Sequence, residues 1–214
     1  KFNTSNIERH FIMSNDILRK VEALTKNGRS DVPSWTPKTA ATRFTDISDI
    51  EGMRTAGKLA ADVLVMLEEF VVPGVSTEQL DIIAHNYIVD VQGAIPAPLN
   101  YHGFPKSCCT SVNDVICHGI PNDKALKKGD AVNIDITIIK EGYYGDTSRM
   151  FFAGDAAPHI ERLCKVTQES LYLAIDMVKP GTRLGDIGAA IASYAHKHHY
   201  SVVEEYCGHG VGTT

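Results

Sequence analysis

Apolar residues recur at helical spacing in two parts of the chain, and each part contains a Pro-Gly pair that ends a helix. In the first part, Ser48 with Glu51 gives a capping signal for a helix that stops at Pro73–Gly74. Ser76 with Gln79 gives the same signal for a second helix. The predicted inner faces of these helices are Met53, Ala56, Ala60, Val63, Leu64, Leu67, Val71, Leu80, Ile83, Ala84 and Tyr87.

The same arrangement occurs again in the last third of the chain. A helix is predicted from Pro158 to Val178, Pro180–Gly181 ends it, and another helix follows. Tyr194 takes the place in this helix pair that Tyr87 takes in the first, so the matches together predict a duplicated α-α-β unit. The predicted inner faces are Ile160, Leu163, Val166, Leu171, Ala174, Val178, Ile187, Ala190, Ile191 and Tyr194.

Strands are predicted between the two helix pairs. Strand-like segments run from Ser107 to Ile120 and from Ala131 to Phe152. Because side chains alternate along a strand, Asn133, Asp135 and Thr137 share one face, and the isoleucines lie on the other.

Two aspartates in this predicted hairpin are the strongest candidates for chemistry. A two-residue turn at Lys140–Glu141 would set Asp135 directly opposite Asp146, with Cβ atoms roughly 5 Å apart. Like charges held together in an apolar stretch repel each other, and divalent cations remove that repulsion. A pair of metal ions is therefore expected, while two surface acids on a solvated sheet face remain the alternative.

Two histidines are each followed by glycine at matching places in the repeat. His118 precedes Gly119, and His209 precedes Gly210. Glycine allows a ligand or another backbone segment to approach closely, so both histidines are candidates for the site. The alternative is that each is a structural histidine.

The first 46 residues differ from the rest, so residues 1–46 are predicted to be an N-terminal extension and linker, and residues 47–214 the main domain. Trp35 is expected to anchor this extension on the domain.

Composition excludes several classes of function. A net charge of −5 gives no basic surface for DNA, and the most apolar window is too short and too charged to cross a membrane. The five cysteines form no disulfide or zinc pattern, and the N-terminus has no secretory pattern, so a cytoplasmic location is expected.

Four motifs resemble type I methionine aminopeptidases in their order and spacing, over about residues 47–214. They are Tyr101–Pro121, Asn133–Asp135, Gly145–Thr147 and Tyr206–Gly210. The resemblance implies an α/β (α+β) pita-bread fold, in which two α-α-β halves surround a dinuclear metal centre. This agrees with the internal repeat.

The resemblance implies roles for individual residues. Asp135, Asp146 and His209 would bind two divalent ions, with Asp146 bridging them, and Co, Mn, Fe and Zn would suit these ligands equally. His118 would contact the substrate and stabilise the reacting peptide group. The wall of a methionine pocket would be formed by Tyr101, Phe104 and Cys109. The backbone ligands of a monovalent cation would come from Asn113 and Val115.

The implied function is hydrolytic removal of the N-terminal methionine from nascent chains whose second residue is small. The protein would act as a monomer, and the ribosome is a further candidate partner. The family's two remaining glutamate ligands, one of them the general base, have no counterpart before Thr214. We therefore expect the C-terminal half to be incomplete, and a chain that ends there to be inactive. A proline-directed aminopeptidase or prolidase of the same fold and a non-catalytic binding protein remain alternatives.

Overall fold

The computed structural model describes residues 16–32 and 47–211, and the chain divides into two compact units. Of the described residues, 16–32, 47–155 and 211 belong to the first unit, and 156–210 belong to the second. The helices described in the first unit are α1 over residues 16–25, α2 (Ile47–Leu67) and α3 (Thr77–Asn86). Its described strands are β1 (Ile95–Pro96), β2 (Cys109–Val112), β3 (Ala131–Lys140) and β4 (Tyr143–Phe152).

Strand β3 is the centre of a four-stranded antiparallel sheet. It pairs with β4 along its whole length, so β1 and β2 share its other edge. Helix α2 packs against β3 and β4. The predicted division of β3 into two faces is confirmed, because Ile134, Ile136 and Ile138 are completely buried. Each contributes roughly 1.5–3 kcal/mol by burial.

The predicted inner faces of α2 and α3 are also confirmed, since Ala56, Leu67 and Leu80 are fully buried in the same core. The capping box at Ser76 is present: its Oγ accepts from the Gln79 N–H at 3.2 Å, and its own N–H donates to the Gln79 Oε1 at 2.9 Å. Helix α2 begins at Ile47, two residues earlier than a cap at Ser48 predicts, so Ser48 lies inside the helix and the predicted cap position is wrong.

The turn between β3 and β4 differs from the prediction by one residue. It consists of Glu141–Gly142, because Lys140 pairs with Tyr143, and the predicted turn at Lys140–Glu141 is wrong. Both turn residues have positive φ, 53° and 90°. A two-residue type I′ turn requires this combination, and glycine adopts it without strain. Gly142 therefore belongs inside the turn.

The predicted strand from Ser107 to Ile120 is wrong in extent, since only Cys109–Val112 is a strand. Asn113 follows it with a φ of 54°, a left-handed conformation that turns the chain away from the sheet. The following segment runs back along β2, where the Thr110 N–H donates to the Gly119 carbonyl at 2.8 Å.

Part of the N-terminal segment packs on the core of the first unit, to which it belongs. Val21 of α1 is buried in the core, and the Lys20 Nζ lies 2.8 Å from a Glu69 carboxylate oxygen. The boundary between residues 46 and 47 stays a prediction, and Trp35 lies outside the described residues.

The second unit contains α4 (Pro158–Asp176) and α5 (Leu184–Lys197), which pack against each other. The Tyr194 hydroxyl donates to Glu169 at 2.9 Å between them. The predicted inner face of α4 is only partly correct, because Leu163, Leu171 and Val178 are exposed. When one helix packs against one other helix, only a narrow stripe of its surface is covered. On α4 that stripe contains Val166 and Ala174.

None of the helices in the described ranges has the length and apolar character that a membrane crossing requires. The five cysteines are free thiols.

The backbones of α2 and β4 approach each other closely at Gly145. A Cβ atom on Gly145 would collide with the Ala56 carbonyl oxygen. We expect Gly145→Ala to lower the free energy of unfolding by roughly 1–3 kcal/mol, as overpacking does. The midpoint of urea unfolding measures this change.

Gly57→Ala is the matched control, because Gly57 lies on the same stretch of α2 and its added Cβ would meet open space. This variant should be unchanged or more stable, by up to about 1 kcal/mol, since alanine favours helix. Equal midpoints for both variants would contradict the close approach at Gly145.

Candidate functional site

Asp135 and Asp146 project from the same polar face of the sheet. Asp135 pairs with Ser148, and Asp146 pairs with Thr137, so the predicted direct opposition of the two aspartates is wrong. The turn at Glu141–Gly142 causes this shift. The aspartates are diagonal neighbours, at a Cβ separation of roughly 7 Å, and can still share a cation.

The environment of the two carboxylates also differs from the expectation. Asp135 is half-buried, but Asp146 is exposed. The Thr137 hydroxyl donates to the Asp146 Oδ1 at 3.2 Å. The two carboxylates therefore lie among polar side chains at an accessible surface, and not inside the core.

Cys109 lies beside these carboxylates. It pairs with Asp135 across β2 and β3, and it is only 8% exposed. Burial, and after it the neighbouring Asp135, Cys117 and Asp146, together raise the pKa of its thiol to about 12. The thiol therefore stays neutral, which suits contact with an apolar group. The carboxylates of Asp135 and Asp146 both act on this thiol, and their combined negative charge attracts cations.

His118 lies on a segment that is fixed along β2. Its φ is 53°, and the next residue, Gly119, is pressed against Thr110 so closely that a Cβ atom would collide with the Thr110 carbonyl. The Gly119 N–H donates to the Ser111 Oγ at 3.2 Å. The glycine is thus required by backbone contact, and it holds His118 at the edge of β2.

Tyr101 and Phe104 lie in a tight loop ahead of β2. The Phe104 N–H donates to the Tyr101 carbonyl at 2.9 Å, and the Asn100 N–H donates to the Phe104 carbonyl at 2.8 Å. Tyr101 is 69% exposed, and Phe104 is half-buried. The pKa of Tyr144 on β4 is raised by burial and, to a lesser extent, by Tyr101.

Asn113 and Val115 lie in the turn after β2. The Asn113 Oδ1 accepts from the Ala131 N–H at 3.0 Å, and its Nδ2 donates to Asp130 at 3.0 Å. The Val115 N–H donates to the Val112 carbonyl at 3.2 Å. These contacts fix the turn, and the monovalent cation stays a prediction.

His209 belongs to the second unit, in an exposed stretch without regular secondary structure. Its Nδ1 lies 3.0 Å from the Gly210 carbonyl oxygen. Within the described residues, no three His, Cys, Asp or Glu side chains are grouped closely enough to hold a metal ion. The first unit thus places Asp135, Asp146 and Cys109 on three neighbouring strands of the sheet, and the role of His209 stays a prediction.

Thr137 and Ser111 are contacts that the sequence analysis did not assign to the site. Thr137 was placed on the polar face, but its pairing with Asp146 follows only from the observed register. Ser111 lies two residues after Cys109 on β2, so the two side chains share one face of the strand, and this period of two could have identified Ser111.

Comparison with known proteins gives one family and close relatives. Residues 51–214 match the model of metallopeptidase family M24. A methionine aminopeptidase of Escherichia coli strain K12 is 60% identical over 165 residues, which cover 77% of this chain and 62% of that relative. The chain thus spans less than two thirds of the length of this relative.

Solved structures agree with this match. The crystal structure of methionine aminopeptidase from Rickettsia prowazekii has a TM-score of 0.79 and 54% identity, covering 81% of this chain and 70% of that chain. The enzyme of that name from Thermotoga maritima has a TM-score of 0.77 and 34% identity over the same shares. The predicted α/β pita-bread fold class is confirmed.

The environment of Cys109 predicts slow alkylation. Because its pKa is about 12, its thiolate fraction near pH 8.5 should be lower by roughly three orders of magnitude than that of a thiol at the ordinary value. Iodoacetamide in the presence of a chelator should therefore label the exposed Cys207 long before Cys109. Peptide mass spectrometry measures both rates.

Asp135→Asn should lower the pKa of Cys109 and speed its labelling, because it removes a neighbouring negative charge. Asp155→Asn is the matched control, since Asp155 is 91% exposed and pairs with Lys128. Equal labelling of Cys109 in the two variants would contradict this arrangement.

Proposed function

The chain belongs to metallopeptidase family M24, and on that basis we propose that its protein removes the N-terminal methionine from newly made polypeptides by metal-dependent hydrolysis. Two observations carry the proposal together. Asp135 and Asp146 share a sheet face with Cys109, and the chain is 60% identical to a methionine aminopeptidase over 165 residues.

Asp135, Asp146 and His209 would hold two divalent ions, with Asp146 between them. Carboxylate oxygens with one imidazole suit Mn, Fe, Co and Zn alike. When bound, these ions supply a water of lowered pKa as the nucleophile and stabilise charge on the reacting carbonyl. The Thr137 hydroxyl would orient the Asp146 carboxylate, because it already donates to Oδ1.

The substrate's first side chain would lie among Tyr101, Phe104 and Cys109. A neutral thiol and aromatic rings suit the apolar, polarizable thioether of methionine. His118 would donate a hydrogen bond to the reacting peptide group, which stabilises charge as it develops there. The fixed segment around Gly119 supports this role, since a pre-positioned donor acts without reorganisation.

The proposed partners are the N-termini of nascent chains with a small second residue, which would bring the protein to the ribosome as a monomer. A cytoplasmic location agrees with free cysteines, and a net charge of −5 offers no general basic surface for DNA. The backbone carbonyls of Asn113 and Val115 would hold the accessory monovalent cation.

Asp146→Asn tests the metal ligands in the protein at its natural length. We expect hydrolysis of methionyl peptides to fall by more than about 100-fold, since the loss of outer partners alone costs 10- to 100-fold. The variant should also bind less metal, as elemental analysis after dialysis would report. Asp155→Asn, on the surface, is the control, and full activity of Asp146→Asn would refute the assignment.

Substrate choice separates the proposed activity from that of a proline-directed peptidase of the same fold. The protein should hydrolyse Met-Ala peptides and leave Xaa-Pro peptides intact, with free methionine as the measured product. A preference for Xaa-Pro peptides would favour the proline-directed enzyme. Stoichiometric metal without hydrolysis of either class would point to a binding protein.

A further inference from the structure

A buried polar network connects the N-terminal segment with α3 and with the loop before β2. Asp81 and His85, both on α3, are only 0% and 1% exposed. Burial of such groups is unfavourable unless they are fully hydrogen-bonded. Their partners lie in two segments, residues 28–30, which we call the latch, and residues 105–108, which we call the pocket loop.

Asp81 joins the two segments through its carboxylate. Its Oδ2 accepts from the Arg29 guanidinium of the latch. Its Oδ1 accepts from the backbone N–H groups of Ser107 and Cys108, at 2.7 and 3.1 Å. One carboxylate therefore fixes two successive residues of the pocket loop while Arg29 neutralises its charge.

His85 makes a second connection between the same segments. Its Nε2 lies 2.7 Å from the Ser30 carbonyl oxygen, and its Nδ1 lies 2.7 Å from the Ser107 Oγ. A carbonyl only accepts, so Nε2 carries the proton, and in the neutral ring Nδ1 accepts from Ser107. Asn86 adds two bonds to the latch, donating to the Gly28 carbonyl and accepting from the Ser30 N–H.

Arg29 also reaches the other end of the pocket loop, where it donates to the Pro105 carbonyl at 3.0 Å. The loop is thus held at Pro105, Ser107 and Cys108. Its neighbours in sequence on either side are Phe104 and Cys109, which are two of the three proposed pocket residues.

The latch lies outside the part of the chain that matches the family, which begins at residue 51. We propose that Arg29 and Ser30 are positioning residues for the substrate pocket: through Asp81 and His85 they hold the pocket loop, and thereby set where Phe104 and Cys109 meet the substrate's first side chain. This inference rests on the proposed function.

The test uses the protein at its natural length and the double variant Arg29→Ala/Asp81→Asn. The single change Arg29→Ala would leave a buried carboxylate without its cation, and that can prevent folding. Asp81→Asn removes the charge while keeping an amide oxygen for the Ser107 and Cys108 N–H groups. Arg19→Ala is the matched control, because Arg19 is an exposed arginine on α1 that pairs with Asp16.

We expect the double variant to raise the KM for methionyl peptides about tenfold and to leave kcat within about twofold, because the pocket loses its fixed wall. Its preference for methionyl over leucyl peptides should fall as well. Arg19→Ala should match the wild type. A network that serves stability alone would lower the unfolding midpoint and leave KM and the preference unchanged, and that result would overturn the proposal.

Labelling of Cys108 gives a readout without catalysis. Cys108 is completely buried, so it should be protected from thiol reagents in the wild type and become reactive in the double variant. Unchanged protection would show that the latch does not hold the loop, and would overturn the proposal. A wild type that hydrolyses no methionyl peptide would refute the proposed function, and the labelling would still decide whether Arg29 holds the loop.

Discussion

The pairing of β3 with all three other described strands is the constraint on which the site depends. Its isoleucines fill the core, so a slip of one residue would turn them outward and the polar side chains inward. The same register sets Cys109 beside Asp135 and Thr137 beside Asp146. Packing of the apolar face therefore determines the geometry of the polar face.

Close backbone approaches keep that geometry in place. At Gly145 the strand before Asp146 touches α2, and at Gly119 the segment after His118 touches β2. Neither position tolerates a side chain without displacement of a candidate site residue. The two glycines thus act as fixed contact points on opposite sides of the sheet's central strand, and each adjoins a residue with a proposed chemical role.

Much of this arrangement could be predicted from the sequence, because helical spacing and strand alternation report burial directly. The inner faces of α2 and α3, the capping box at Ser76 and the two faces of β3 follow from such patterns. The turn could have been located from Gly142, since a two-residue turn requires positive φ and Lys140–Glu141 contains no glycine to adopt it. His85 has no periodic signal, because its partners lie 55 and 22 residues away in the chain.

The long sequence separations in the latch affect the order in which the protein can assemble. Arg29 bonds with Asp81 and Pro105, which follow it by 52 and 76 residues. At a synthesis rate of about 5–20 residues per second, Arg29 is synthesised roughly 4–15 s before Pro105. During that interval the growing chain carries the cation but not the loop it binds. The latch therefore waits for the loop that it binds, and the pocket wall is completed only after the ribosome has moved beyond Pro105.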